Sequence, residues 1–347
     1  MTTRVLDIFC GGGGSSWGAR NAGAEIACAV DAWPIAVETY RSNFPRASVI
    51  NATLDETSCP SLVGNIGKID LILASPECTN HTCAKGSRPR DEASRRTANY
   101  IVRFADKLKP RWMILENVVQ MRGWDGYTPL IGDLQALGYN VVPQVLDAAD
   151  FGVPQTRRRL FLLCDREARP SCVELPAKRG VLTAADVVQL DGPWPSGQLY
   201  SERRAPDTIA RAERAMKELG KGQPFLIVYY GSDGSGGWQP LNRPLRTLTT
   251  LDRFGLVTWS GRTPMLRMLQ VPELVRAMGF DASYALAHGS RRDRIKILGN
   301  GVCPPVMEAV VRSLLSTSVR LSGRFKQQPK SSKRGSLKRK QPQRARV

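Results

Sequence analysis

The sequence predicts an α/β protein, a doubly wound and mostly parallel sheet with a second, smaller domain. Three observations carry that expectation. Short apolar runs alternate with helix-patterned stretches through the first half of the 347 residues, as strands joined by crossover helices do. A glycine-rich turn, Cys10-Gly11-Gly12-Gly13-Gly14-Ser15-Ser16, stands between the first apolar run and the first helical one. The alternation lapses from about Arg169 to Asn242, where basic clusters and the glycine-rich run 231–237 replace it.

Residues 4–9 are the first expected strand and 16–22 the helix after the turn. Glycines let a backbone approach a ligand closely, so this unit reads as a nucleotide-type cofactor cradle or simply as a tight turn. A second strand, 25–30, ends at Asp31, an acid able to accept from a ribose diol or to cap the next helix, 34–43. No lysine follows the glycines, which disfavours a P-loop. The strand 69–73 leads into Ser75-Pro76-Glu77-Cys78 and puts one cysteine at a carboxyl edge, where ligands gather in open sheets. Cys78 is thus a candidate nucleophile, although a free cysteine is often a small buried hydrophobe. A helix over 93–108 and a strand over 112–115 bring Glu116 to the same edge. Arg157, Arg158 and Arg159 run into the strand 160–163, and alternation puts Arg157 and Arg159 on one face. Residues 265–278 and 304–315 read as helices, the second packing back onto the large domain.

Charge and cysteine usage narrow the class. The net charge is +19, and eleven of the 50 basic residues but none of the 31 acidic ones fall after residue 317. That stretch, rich in Ser, Gln and Pro, reads as a disordered basic tail, and nucleic acid rewards such an excess through counterion release. The eight cysteines form no C-x-x-C pair and only His81 and His288 accompany them, so no metal site is expected. Scattered thiols suit a reducing cytoplasm. No apolar stretch approaches the roughly 20 residues of a membrane span, and no signal-peptide pattern opens the chain.

The order of these motifs resembles that of the C5-cytosine DNA methyltransferases, over residues 3–168 and 240–317. Asp7-Ile8-Phe9-Cys10-Gly11-Gly12-Gly13-Gly14 is similar to the family's S-adenosylmethionine loop. Glu116-Asn117-Val118 matches its catalytic E-N-V, and Gln155 to Arg159 its Q-x-R-x-R. Arg243-Pro244-Leu245-Arg246-Thr247-Leu248-Thr249 resembles the segment closing the recognition region, and Leu298-Gly299-Asn300-Gly301-Val302 the terminal G-N-[SA]-V element. The resemblance implies a Rossmann-like catalytic domain over 1–168 and a target-recognition domain over 169–282. A segment over 283–317 returns to the catalytic domain, ahead of the tail at 318–347. It implies S-adenosylmethionine as cofactor, no metal, and contacts from Phe9, Gly11, Gly13, Gly14, Asp31, Ala32, Asp55, Ser75, Asn300 and Val302. Double-stranded DNA is the implied substrate, contacted by Glu77, Thr79, His81, Asn117, Val118 and Thr249. A cognate restriction endonuclease is a partner that such a cytoplasmic, prokaryotic or phage-encoded protein can have, and a monomer is expected.

The implied chemistry assigns Cys78, Glu116, Arg157 and Arg159 to catalysis. A Cys78 thiolate adds to C6 of a flipped-out cytosine, protonated Glu116 engages N3 and the exocyclic amine, Arg159 holds O2, and Arg157 orients Glu116 or the nucleophile loop. The nucleophile segment departs from the usual G-x-P-C-Q-x-[FW]-[ST], reading Ser75-Pro76-Glu77-Cys78-Thr79-Asn80-His81-Thr82. A carboxylate facing the thiol would raise its pKa, so Glu77 is expected to turn away or to pair with Arg157, Arg159 or Lys85. The third strand also lacks an acid for the adenine edge; Ala52 stands near that place and Asp55 is the substitute. Two rival readings remain, an RNA (tRNA) cytosine-C5 methyltransferase and a catalytically silent DNA-binding homologue.

Overall fold

The computed structural model describes residues 2–55, 58, 60–76, 97–177, 180–230 and 237–325. A seven-stranded sheet forms the larger layer, in the order β3-β2-β1-β4-β5-β7-β6. Its strands are β1 (Arg4–Ile8), β2 (Glu25–Asp31), β3 (Ser48–Asn51), β4 (Leu71–Ala74), β5 (Trp112–Asn117), β6 (Asn140–Asp147) and β7 (Arg158–Asp165). Neighbours from β3 to β5 pair in parallel, while β7 runs antiparallel to both β5 and β6. Strand order reverses between β1 and β4, and that switch point opens the crevice in which open α/β sheets bind ligands.

The central strands read as unbroken apolar runs because both their faces are covered. Leu71, Leu73 and Ile114 enter one core, whereas Ile72, Ala74, Met113 and Leu115 enter the other. Helices α1 (Gly14–Asn21) and α2 (Pro34–Asn43) follow β1 and β2, and α3 (Tyr100–Leu108) and α4 (Tyr127–Ala136) flank β5 in sequence.

Glycine sets how closely α1 meets the end of the chain. A Cβ on Gly18 would lie 2.5 Å from the Pro304 carbonyl oxygen and 2.8 Å from the Glu308 nitrogen, at the start of α8 (Pro304–Phe325). Gly18→Ala should gain about 1 kcal/mol in helix propensity. Overpacking against rigid backbone should cost about 1–3 kcal/mol and win. A lower urea midpoint is expected, and an unchanged or higher one would refute this seam.

The smaller layer is an antiparallel sheet in the order β10-β9-β11-β12-β8. It comprises β8 (Gly197–Gln198), β9 (Phe225–Val228), β10 (Trp238–Pro240), β11 (Phe254–Ser260) and β12 (Thr263–Met268). Its core packs Phe225, Ile227, Val257 and Leu266 with Ala212 and Ala215 of α5 (Pro206–Leu219). Helices α6 (Val271–Ala277) and α7 (Arg291–Asn300) then lead to α8.

Two sequence expectations are corrected here. The helix expected over 265–278 is strand β12 followed by the short α6, because β11 offers Thr263–Met268 a full antiparallel partner and Pro272 starts the helix late. Helix α8 runs to Phe325, so residues 318–325 are helical where tail was expected; the rest of that tail, 326–347, lies outside the described residues. No helix among the described residues is long and apolar enough to cross a membrane.

A strap of residues 243–249 docks the smaller layer onto the Gln155-Thr156-Arg157 segment. Leu245 exchanges backbone hydrogen bonds with Pro154 and Thr156, and Thr247 Oγ1 donates to the Thr156 carbonyl at 2.8 Å. Buried Gln155 accepts from the Leu248 amide at 2.8 Å and donates to the Ala277 carbonyl at 3.0 Å.

Candidate active site

The glycine turn makes its bend with left-handed backbone at Phe9 (φ 59°), Gly11 (φ 51°) and Gly13 (φ 89°). Such a conformation in a bulky residue such as Phe9 is strained and accompanies functional sites. Asp31 anchors the turn: its Oδ2 accepts from the Gly11 amide and its Oδ1 from the Trp33 amide, each at 2.8 Å. Burial raises the Asp31 pKa; the amide hydrogen bonds and Lys296 oppose the rise. A carboxylate has about four acceptor positions, so Asp31 retains capacity for a diol.

Asp7 lies directly beneath. Ser16 Oγ donates to Asp7 Oδ2 at 2.7 Å, Tyr40 donates to Ser16, and Asp7 Oδ1 is buried without a hydrogen-bond partner. Burial pushes the Asp7 carboxyl up to about 7; the Ser16 hydrogen bond opposes this and Asp31 adds to it. The folded protein therefore holds a proton that the unfolded chain releases near pH 3.8. The stability linked to this group is complete below that pH and is lost as pH rises through 7. A shift of this size corresponds to about 4 kcal/mol. Asp7→Asn should give a visibly shallower fall in urea-unfolding free energy between pH 4.5 and 8; an unchanged slope would refute the assignment.

The turn opens onto a cleft of about 950 Å³ at the switch point. Phe9, Gly11, Gly14, Asp31 and Ala32 line it from one side, and Ser75, Glu116 and Arg159 from another. Asn300 and Val302 close it from the far end of the chain. Residues expected at cofactor and catalytic positions thus line one space, although the stretch 9–14 and the stretch 300–302 are far apart in sequence.

Glu116 is the last residue but one of β5, buried, with Arg159 Nε 3.2 Å from its Oε1 and Ser75 lining the cleft beside it. Burial raises its pKa, against the charges of Arg159 and Arg157. The group can therefore carry a proton more readily than a surface glutamate.

Other expected residues have the following surroundings. Arg157 is buried, and its guanidinium donates to the carbonyls of Leu248, Gly299 and Gly301 at 2.9, 2.7 and 2.8 Å, tying the strap to the end of α7. Asn117 donates to the Pro76 carbonyl at 3.2 Å and accepts from the Val118 amide at 2.8 Å, so it secures the turn after β4. Val118 is buried. Gly13 faces Tyr40 and Phe44, and Thr249 packs against Gly299; neither lines the cleft. Asp55, expected at the adenine edge, is exposed and accepts from Ser58, while Ala52, Thr53 and Leu54 line the cleft instead. Glu77, Cys78, Thr79 and His81 lie outside the described residues; Pro76, which precedes them, lines the cleft.

Trp33 and Lys296 are among the cleft residues not expected from the sequence. Trp33 forms a flat wall after Asp31, and Lys296 of α7 sits 4.3 Å over its ring. An aromatic residue two places after a strand-end acid was the available signal for Trp33; nothing local marks Lys296.

A profile of the C-5 cytosine-specific DNA methylase family matches residues 3–316. The chain belongs to that family. Among curated relatives, the chain is similar to the Type II methyltransferase M.XorII of Xanthomonas oryzae pv. oryzae. It is 32% identical over 209 residues, covering 57% of this chain and 47% of that protein. The Type II methyltransferase M.NlaX of Neisseria lactamica is 26% identical over 334 residues, 92% of this chain and 99% of that protein. The chain spans about half the length of several other relatives it matches. The fold is that of a DNMT2 crystal structure from Spodoptera frugiperda, at a TM-score of 0.67 and 18% identity over 90% of this chain and 100% of that one.

The family implies S-adenosylmethionine, and the cleft fits it. Its volume lies within the range of small-molecule sites, about 300–1,000 Å³. Asp31 offers acceptors for a diol and Trp33 a flat face for an aromatic base. The Asp31 carboxyl beside the glycine turn disfavours a pyrophosphate and suits a cationic sulfonium compound.

Proposed function

We propose that this protein methylates C5 of cytosine at a short sequence in double-stranded DNA, using S-adenosylmethionine and a covalent Cys78 adduct. The observation that carries the reading is Glu116: a buried, proton-prone carboxyl paired with Arg159 in the cleft that the glycine turn and Asp31 also line.

Cytosine C5 is a weak nucleophile. Addition of the Cys78 thiolate to C6 breaks the ring's aromaticity and moves electron density onto C5. Glu116, protonated, donates to N3 and accepts from the exocyclic amine, so charge does not build up on the ring as the thiolate adds. Arg159 engages Glu116 through Nε, leaving other guanidinium donors for O2. Bound S-adenosylmethionine supplies a methyl group already activated on sulfonium. Loss of the C5 proton then lets the bond between Cys78 and C6 break. The base must leave the stacked duplex to reach this cleft. Phosphate contacts fall to the basic clusters of the recognition side and the basic residues after 317. A restriction endonuclease reading the same site is the proposed partner.

Duplex DNA carrying 5-fluorocytosine tests this, because fluorine at C5 blocks the elimination and leaves an active enzyme attached. A stable adduct in wild type, lost in Cys78→Ser, is the expected result. Adduct on RNA alone would select the RNA reading, and duplex binding without any adduct would select the silent homologue.

A further inference from the structure

The glycine turn is fastened on two sides, and the second fastening comes from the segment before α7. Tyr284 Oη donates to the Gly12 carbonyl at 2.8 Å, and the bond is buried. The phenol is itself held. Its ring stacks on Phe280 with centroids 3.8 Å apart and meets Trp17 of α1 edge-on at 5.2 Å. Trp17 Nε1 donates to Asp281 Oδ2 at 3.1 Å. Asn43, at the end of α2, donates to the Ala285 carbonyl and accepts from its amide, each at 2.8 Å. The segment 280–285 is thereby seated on α1 and α2, with the Tyr284 hydroxyl delivered to the turn. A Cβ on Gly12 would come 2.7 Å from that hydroxyl and 2.4 Å from Ile297 Cγ2, so the contact leaves no room for a side chain.

We propose that Tyr284 is a positioning residue for the cofactor: its hydroxyl selects the orientation of the Gly12–Gly13 peptide and so pre-forms the turn that S-adenosylmethionine meets. This rests on the cofactor of the function proposed above. Gly13 has φ 89°, and a flip of the 12–13 peptide would carry it to a negative φ that glycine accepts about as readily. The backbone alone therefore does not choose between the two orientations. Asp31 holds the Gly11 amide, on a different peptide unit, and leaves the choice open.

The 12–13 peptide is instead held at both its ends. The Gly13 amide donates to the Cys10 carbonyl at 2.9 Å, and the Gly12 carbonyl accepts from Tyr284. Turning the peptide over would break both bonds. Burial raises the Tyr284 pKa, with Cys10 adding to the rise, so the phenol keeps its proton through the working range. Gly12 lines the cleft and Tyr284 does not, so the phenol acts through the turn. A turn ordered in advance spares the ligand the cost of ordering it.

Tyr284→Phe keeps the ring and its stacking and removes only the donor. Isothermal titration should show S-adenosylhomocysteine binding about tenfold weaker. The orientation that buries an unpaired carbonyl becomes disfavoured, and affinity falls with the competent fraction. Before any ligand is added, amide hydrogen exchange over residues 9–17 should be faster than in wild type. Ile227→Val, in the core of the smaller sheet, supplies a destabilised variant that leaves the turn alone, and its affinity should match wild type. An unchanged affinity in Tyr284→Phe overturns the proposal. So does a loss of affinity with unchanged exchange over the turn, or an equal loss in Ile227→Val. A wild type that binds no S-adenosylhomocysteine would sink the cofactor reading instead, while exchange over the turn would still decide whether Tyr284 holds it.

Discussion

Glu116→Gln is expected to slow adduct formation on 5-fluorocytosine DNA by about 10²- to 10⁴-fold, the usual loss when a general acid is removed. Glutamine keeps the shape and an acceptor for Arg159, but cannot give a proton to N3. The wild-type rate should fall as pH rises through the raised Glu116 pKa, because the protonated form is the competent one. The variant should lack that limb and remain folded, since a neutral amide replaces a desolvated acid. Single-turnover trapping between pH 5.5 and 9 measures both features. A variant that retains the limb, or traps within threefold of wild type, would remove Glu116 from the chemistry.

Arg157→Met should cost about 3–5 kcal/mol in urea unfolding. Each buried carbonyl left without a donor costs about 1–3 kcal/mol, and Arg157 serves those of Leu248, Gly299 and Gly301. Methionine fills the volume and supplies no donor. Arg157→Lys should not rescue, because one ammonium cannot reproduce a planar fork reaching three carbonyls. The variant's loss should appear in stability and in the docking of the strap, with the Glu116 limb still present. A stability change under 1 kcal/mol would return Arg157 to the catalytic role expected from its motif.

Much of the large sheet was legible because buried parallel strands leave unbroken apolar runs. Leu71–Ala74 and Trp112–Asn117 are such runs, and the edge position of Glu116 followed from the second. Arg158 turned outward and Arg157 and Arg159 inward, as strand alternation requires. What failed was reading a side chain's partner from its own neighbourhood. Arg157 and Arg159 look equivalent in sequence, yet their partners come from residues 248–301 and from Glu116. Asp55 was named because an acid was wanted near the third strand, but its turn closes on Ser58. Trp33 and Lys296 meet across the fold with no local sign of it. The stretch 265–278 mixes apolar residues that satisfy a helix or a strand, and only β11 decided between them.

The far wall of the cleft has a consequence for biosynthesis. Phe9 to Gly14 are translated long before Asn300 to Val302, yet they bound one space. A nascent chain can hold Glu116 and Arg159 long before it owns the far wall of the cleft. A chain terminated before α7 would thus lack that wall, and the cleft closes only once Asn300 to Val302 have been made.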